Sequence, residues 1–327
     1  MANDTSTGVV NNWNVANVNG SRILTFSPVQ YPFLSRVIGR KTAQSTEFAM
    51  SGQYALEADA QTAIDETASL TAPAAVAYDL AKEVNIIQIL QKSVNVSYTA
   101  MSSANRLKIT ESGTTGYGYT GDPLEAARME ILAFQLGAVQ QQLYGVLEYS
   151  MLNGTKTAST SAAVAGLMGG ILSGCTTSTV AASSATLSKG MVEDLLLAMA
   201  AAGAKFQRPT IFCNAFQKVQ LSKIFGYAPP AQGVGGISVG SLTTDFGIWE
   251  IVYSRRVPTS SILFADMSDV SLINQPVPGK VYMPDGLFIY EELSKVGASE
   301  KGQLYGQLSI DYGSEKLHGS ITGLATS

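Results

Sequence analysis

Gly121-Asp122-Pro123-Leu124-Glu125 opens, and Leu147-Glu148-Tyr149-Ser150-Met151-Leu152-Asn153-Gly154 closes, the stretch that decides the fold. Asp122 is suited to accept from the first free amides of a helix. Pro123 suits the first turn because its missing N–H needs no partner there, and Glu125 completes a capping box. No proline interrupts the chain until well past Asn153-Gly154, a pair expected to form a left-handed C-cap. Leu132, Leu136, Val139, Leu143 and Val146 recur at steps of four, three, four and three, which predicts one apolar seam. At 1.5 Å per residue this spine is about 45 Å long, and most of the remaining chain reads as strands and loops.

Outward from the spine, the sequence sets several bounds. The 327 residues can bury a large core or two lobes. Charged residues make up 14%, against about 25% in an average soluble chain, so much of the surface is expected to be covered by other protein. A net charge of −4 argues against a dedicated nucleic-acid binder. The longest apolar run, Leu195 to Ala204, is about half a membrane span, and nothing near the N-terminus resembles a signal peptide. Cys175 and Cys213 lie too far apart for a metal or CxxC motif, and read as two reduced thiols of an intracellular protein.

In chain order, residues 1–27 form an asparagine-rich N-terminal arm, and Tyr31 to Gly39 an apolar anchor. Glu47-Phe48-Ala49-Met50 begins a strand. From Thr42 to Ala81 there is no lysine or arginine, but there are acids at Glu47, Glu57, Asp59, Asp65, Glu66 and Asp79. Val84, Ile86, Leu90, Val94, Val96 and Tyr98 then share one parity, as one face of a long strand does. Two strands flanking a poorly buried acidic excursion predict a long projecting hairpin, against the simpler alternative of a solvated surface loop. Helices are expected at Ser188 to Gly203 and Asn214 to Phe225, with strands at Pro209–Cys213, Gly247–Ser254, Ser261–Ala265, Ser271–Asn274 and Leu287–Glu291. Gly302–Tyr312 and Lys316–Leu324 read as a closing hairpin. Helices and strands mixed without a βαβ rhythm indicate an α+β fold.

Two motifs test for chemistry. Gly236-Ile237-Ser238-Val239-Gly240 fits the nucleophile elbow, with Asp266, Asp285 and Asp311 before the only histidine, His318, in the order of an α/β serine hydrolase. An elbow needs a strand before its serine and a helix after it; here a Pro/Gly loop precedes and a strand follows. Gly116 to Gly121 fits G-x-G-x-x-G, but the spine runs through the region where a dinucleotide fold needs its second strand. No catalytic residue, cofactor or metal site is therefore assigned.

Taken together, the Pro32-Phe33-Leu34 to Ile38-Gly39 anchor, the Glu47-Phe48 strand entry, the hairpin and the spine resemble the major capsid proteins of tailed bacteriophages, of the Hong Kong 97 fold type. Phe246-Gly247 leading to Ser254-Arg255-Arg256-Val257-Pro258, Glu292 to Gly297, and His318-Gly319 complete the resemblance. It implies an N-terminal arm (1–27) and a peripheral domain (28–187) carrying an extended loop (46–98) and the spine (122–153). It further implies an axial domain (188–290) and a return to the peripheral domain (291–327). The implied function is a shell subunit: pentamers and hexamers of an icosahedral capsid in the virion, assembled in the host bacterial cytoplasm around double-stranded DNA. DNA would be contacted weakly and without sequence preference, and no membrane is involved. The loop would lie across a neighbour, with Glu57, Asp59, Asp65 and Glu66 meeting Arg128, Arg255 or Arg256. The absence of lysine from Thr42 to Ala81 departs from members that cross-link, and the short arm implies a separate scaffold, besides portal and decoration proteins. A cellular encapsulin-type nanocompartment shell is the alternative within this fold.

Overall fold

The computed structural model describes residues 30–51, 65–71, 83–99, 123–226, 240–295 and 297–326; side chains at 68, 123–131 and 134 are not described. Asp122 and Gly116 to Gly121 lie outside these residues, as does all of the Gly236 to Gly240 motif except Gly240.

In chain order the strands are β1 (Gly39–Thr42), β2 (Glu47–Ala49), β3 (Val84–Ile86), β4 (Gln88–Ser97), β5 (Thr179–Ala181), β6 (Pro209–Cys213), β7 (Ser241–Thr244), β8 (Gly247–Tyr253), β9 (Ile262–Asp266), β10 (Ser271–Asn274), β11 (Ile289–Leu293), β12 (Ser299–Asp311) and β13 (Gly319–Thr322). They build two large sheets and one small hairpin. The first sheet is centred on β12, which pairs with β4 along one edge and with β10 and β11 along the other; β1 joins parallel to β10. The second runs β5-β13-β9-β6-β8-β7. β2 and β3 pair with each other, Glu47 opposite Ile86.

The spine helix is Pro123–Asn153, packed on β4 and β12. Leu143, Leu147, Met151 and Leu152 are buried against Leu90, Leu304, Leu308 and Ile310, with Leu136 and Val139 half-buried beside them. The seam drifts from the expected one: Val146 is 37% exposed, while Leu147 is fully buried. Steps of four, 143-147-151, carry the buried edge because the residues after β8 cover a second side of the helix here. Gly154 is not left-handed either. A Cβ there would stand 2.4 Å from the Met168 carbonyl, so its role is to let the chain fold back tightly.

The second core lies under a helix at Lys189–Ala201, whose Val192, Leu195, Leu196 and Met199 cover Ile211, Trp249, Ile251, Phe264 and Ile321. Its ends follow the expectation. Ser188 accepts from the Met191 amide at 3.4 Å, and Gly203, at φ +92°, closes a Schellman turn through Gly203 N to Ala200 O and Ala204 N to Met199 O. The helix Ala215–Phe225 follows β6. Strands β6 and β9 are covered on both faces and so read as unbroken apolar runs. Ile211 faces the second core, whereas Phe212 packs edge-on against Phe33, ring centres 5.1 Å apart, in the first.

The expected closing hairpin does not form. β12 belongs to the first sheet, while β13 pairs with β9 and β5 in the second. The link between them turns at Gly313, φ +69°, and Gly319 lets β13 approach the helix, since a Cβ there would lie 2.7 Å from Met199 Sδ. Sheet membership also departs from a boundary at 290: Ser271–Asn274 sits in the first sheet, and Gly319–Thr322 returns to the second.

Candidate functional site

Three polar ties hold the hairpin and the N-terminal segment to the body. The first is Asn85, 1% exposed within the apolar run Val84-Asn85-Ile86. Its Nδ2 donates to Gly169 O at 3.0 Å and Ile310 O at 2.9 Å, and its Oδ1 accepts from Gly169 N at 2.8 Å. One side chain thus joins the hairpin base, the loop after the spine and the central strand. Ser309 adds a bond from its hydroxyl to Ile86 O at 2.7 Å.

The second tie is the Asp311 carboxylate, which accepts from Lys41 Nζ at 2.7 Å, Ser51 Oγ at 3.1 Å and Gly313 N at 2.9 Å. It fixes the outgoing strand of the hairpin where the strand leaves the body.

The third is formed around Glu148, which is fully buried on the spine. Its carboxylate faces Ser254 Oγ at 3.3 Å, Leu34 N at 3.4 Å and Arg256 Nη1 at 3.7 Å. Burial pushes it up to about 7, against Arg256, the Leu34 amide and the Ser254 hydroxyl. Nearby, Arg36 pairs with Glu250 of β8, tying the N-terminal segment to the second sheet.

Ser238 lies outside the described residues, but the histidine and the three aspartates that would serve it can be placed. His318 is fully buried. Its Nδ1 accepts from Asp266 N at 3.3 Å and its Nε2 lies 2.6 Å from Tyr312 O, so both ring nitrogens are engaged by backbone. Burial holds the ring below its ordinary pKa, over the opposing Tyr312 carbonyl and Asp266, so it is neutral. Among the described residues no carboxylate bonds to it. Asp266 accepts from the amides of Gln207, Arg208 and Ser268; Asp285 accepts from Gln140, Tyr144 and the Leu287 amide; Asp311 is occupied as above. His318 is a pin between the two sheets. Cys175 and Cys213 are buried free thiols, pushed up to about 12 by burial.

The expected contact residues separate. Asp65 and Glu66 are exposed at the start of a short helix, Glu66–Ser69, and Leu70 beside it is 86% exposed. Arg255 is exposed. Arg256 is engaged within its own chain, bonding Gly145 O at 3.0 Å and Gln30 O at 2.7 Å and covering the Tyr31 ring. Glu57, Asp59 and the Arg128 side chain lie outside the described residues. Asn85, Glu148 and Asp311 escaped a reading of patterns as contact elements. An asparagine or glutamate inside an apolar run was the available signal.

The comparisons with known proteins now bear on this architecture. The SU10 major capsid protein family matches residues 5–325. The chain belongs to that family. It is a phage major capsid protein, a structural subunit of an icosahedral shell. The fold is of the Hong Kong 97 type. The capsid of Cyanophage A-1(L) is similar at TM-score 0.60 and 12% identity, covering 100% of each chain. The capsid of a native GTA particle is similar at 0.57 and 12%, covering 99% of this chain and 100% of that one. The holo-SrpI encapsulin complex of Synechococcus elongatus PCC 7942 is similar at 0.52 and 11%, covering 96% and 93%. An encapsulin shares the fold, so the fold alone does not separate the two kinds of shell; the family match favours the phage capsid. No curated protein matches the chain.

Proposed function

We propose that this capsid protein closes its shell as pentamers and hexamers around packaged double-stranded DNA, and that the 46–98 loop is its principal reach onto a neighbouring copy. The observation that supports this is the contrast within the loop: a base fixed by Asn85 and Asp311, and Asp65, Glu66 and Leu70 exposed beyond it. A leucine and two acids carried away from their own core suit a surface that another copy covers. Arg255 is the exposed basic candidate to receive the acids. Exposed ion pairs contribute only about 0–1 kcal/mol each, so these charges serve steering and register, with apolar and backbone contacts supplying most of the hold.

On this reading the unit built on the second sheet, 179–266 with 319–322, gathers around the five- and sixfold axes, and the first sheet with the spine forms the peripheral domain. Opposite the spine, the first sheet carries a polar ladder, Gln91 to Gln303 at 2.6 Å and Gln303 to the Glu291 carboxylate at 3.0 Å, with Lys280 already paired to Glu291. DNA contact is weak and without sequence preference. Scaffold and portal are separate proteins, and assembly takes place in the host bacterial cytoplasm.

Deleting Ala55 to Val76 tests the loop's role. Sedimentation should show folded subunits that no longer close shells; normal particles from the deletion would return the loop to a plain surface excursion.

A further inference from the structure

Residues 30–36 meet the body through two ionisable contacts, the Arg36–Glu250 pair on β8 and a buried junction at Glu148 and Arg256. Arg256 Nη1 donates to Gln30 O at 2.7 Å, and the Tyr31 ring centre lies 5.1 Å from the same guanidinium. Tyr31 OH donates to Gln141 O of the spine at 2.5 Å, and Leu34 N–H points at the Glu148 carboxylate.

Arg256 is divided among these partners. It lies 3.0 Å from Gly145 O and 2.7 Å from Gln30 O, but 3.7 Å from Glu148. Glu148 therefore has a counter-charge in view and no short charge-assisted bond, while its Ser254 and Leu34 contacts are long at 3.3 and 3.4 Å. Among the described residues, the charged or titratable groups facing it are Arg256, from the segment after β8, and Tyr31, from the N-terminal segment. The spine itself places Tyr144 one turn away, with its hydroxyl committed to Asp285. A fully buried carboxylate whose counter-charge stands 3.7 Å away, with no short charge-assisted bond to it, is one that ionisation makes costly to keep closed.

We infer that Glu148 is a proton-linked latch: protonated, it keeps residues 30–36 docked on the spine, and ionised, it loosens that docking. The relevant range is set by the closed carboxyl near 7 and an ordinary value of 4.5 once water reaches it. Across that interval the closed form holds a proton that the open form releases, so opening becomes easier as pH rises, by as much as roughly 300-fold. The inference concerns a single subunit and stands whether or not shells close as proposed above.

Hydrogen exchange on the full-length protein, corrected for intrinsic rates, tests it. Amides at 33–37 should lose protection by tenfold or more between about pH 5 and about pH 7.5, while Thr210 to Cys213, buried in β6, serve as the internal reference and should not follow. Glu148→Gln, neutral at every pH, should keep the acid-form protection throughout. Unchanged protection in the wild type, an equal fall in the reference strand, or the same fall in Glu148→Gln would each overturn the latch. The wild-type profile against its own reference decides the matter even if the variant fails to fold.

Discussion

Asn85 and Glu148 are both buried polar side chains that tie an outlying segment to the body, at 1% and 0% exposure, yet they hold on different terms. Asn85 is neutral and makes four bonds of 2.8 to 3.0 Å to backbone groups. Glu148 is ionisable, and its contacts run from 3.3 to 3.7 Å. A satisfied amide gives a tie that pH does not touch, whereas a half-satisfied carboxylate gives one that protons control. The Asn85 tie at the loop base is thus indifferent to pH, and the Glu148 tie of the N-terminal segment is not.

Removing the amide gives the largest expected effect. Asn85→Ala leaves four backbone groups without this partner, at roughly 1–3 kcal/mol each when buried, enough to consume much of a marginal stability. Soluble, fully folded Asn85→Ala with the parent's melting temperature would erase one side of the comparison. Leu147→Ala probes the core beneath both ties and should cost about 2–5 kcal/mol, read by denaturant unfolding.

Glu148→Gln sharpens the other side. Between about pH 4.5 and pH 7 the folded chain retains a proton that the unfolded chain gives up, so Glu148 costs stability as pH rises, roughly 3 kcal/mol in full above pH 7. The variant should match the wild type near pH 4.5 and exceed it at pH 8. Asp266 works in the opposite direction at lower pH. Burial opposes its ionisation, but the Ser268, Gln207 and Arg208 amides outweigh that and hold it below the usual range. Its contribution is lost as the medium becomes strongly acidic, so the difference between wild type and Glu148→Gln isolates the latch. The smallest effect belongs to the exposed acids. Asp65→Lys with Glu66→Lys should leave subunit stability within about 0.5 kcal/mol, while slowing assembly and changing its salt dependence, as light scattering would follow.

Much of this was legible in the sequence because local chemistry was specific. Ser188 and Gly203 bracket their helix as caps do, and the parity of Leu90, Val94 and Val96 gives the buried face of β4. Failures came where tertiary neighbours decide. The spine seam was read at Val146, but packing on two sides moved burial to Leu147 and Glu148. β12 and β13 are adjacent in sequence and looked like one hairpin, yet nothing local tells a four-residue strand which sheet it will join. The ties were hardest to foresee: Asn85 and Glu148 are single polar residues whose partners are at Gly169, Ile310, Ser254 and Arg256, far along the chain.

The central claim is that this chain is a shell subunit whose anchored loop reaches its neighbours, and cryo-electron microscopy of the purified full-length protein tests it most directly. The account predicts closed icosahedral particles, with density for the 46–98 loop leaving one subunit at β2 and β3 and ending against another, Leu70 covered. Particles in which that loop lies back on its own subunit, or a protein that stays monomeric under every assembly condition, would contradict it.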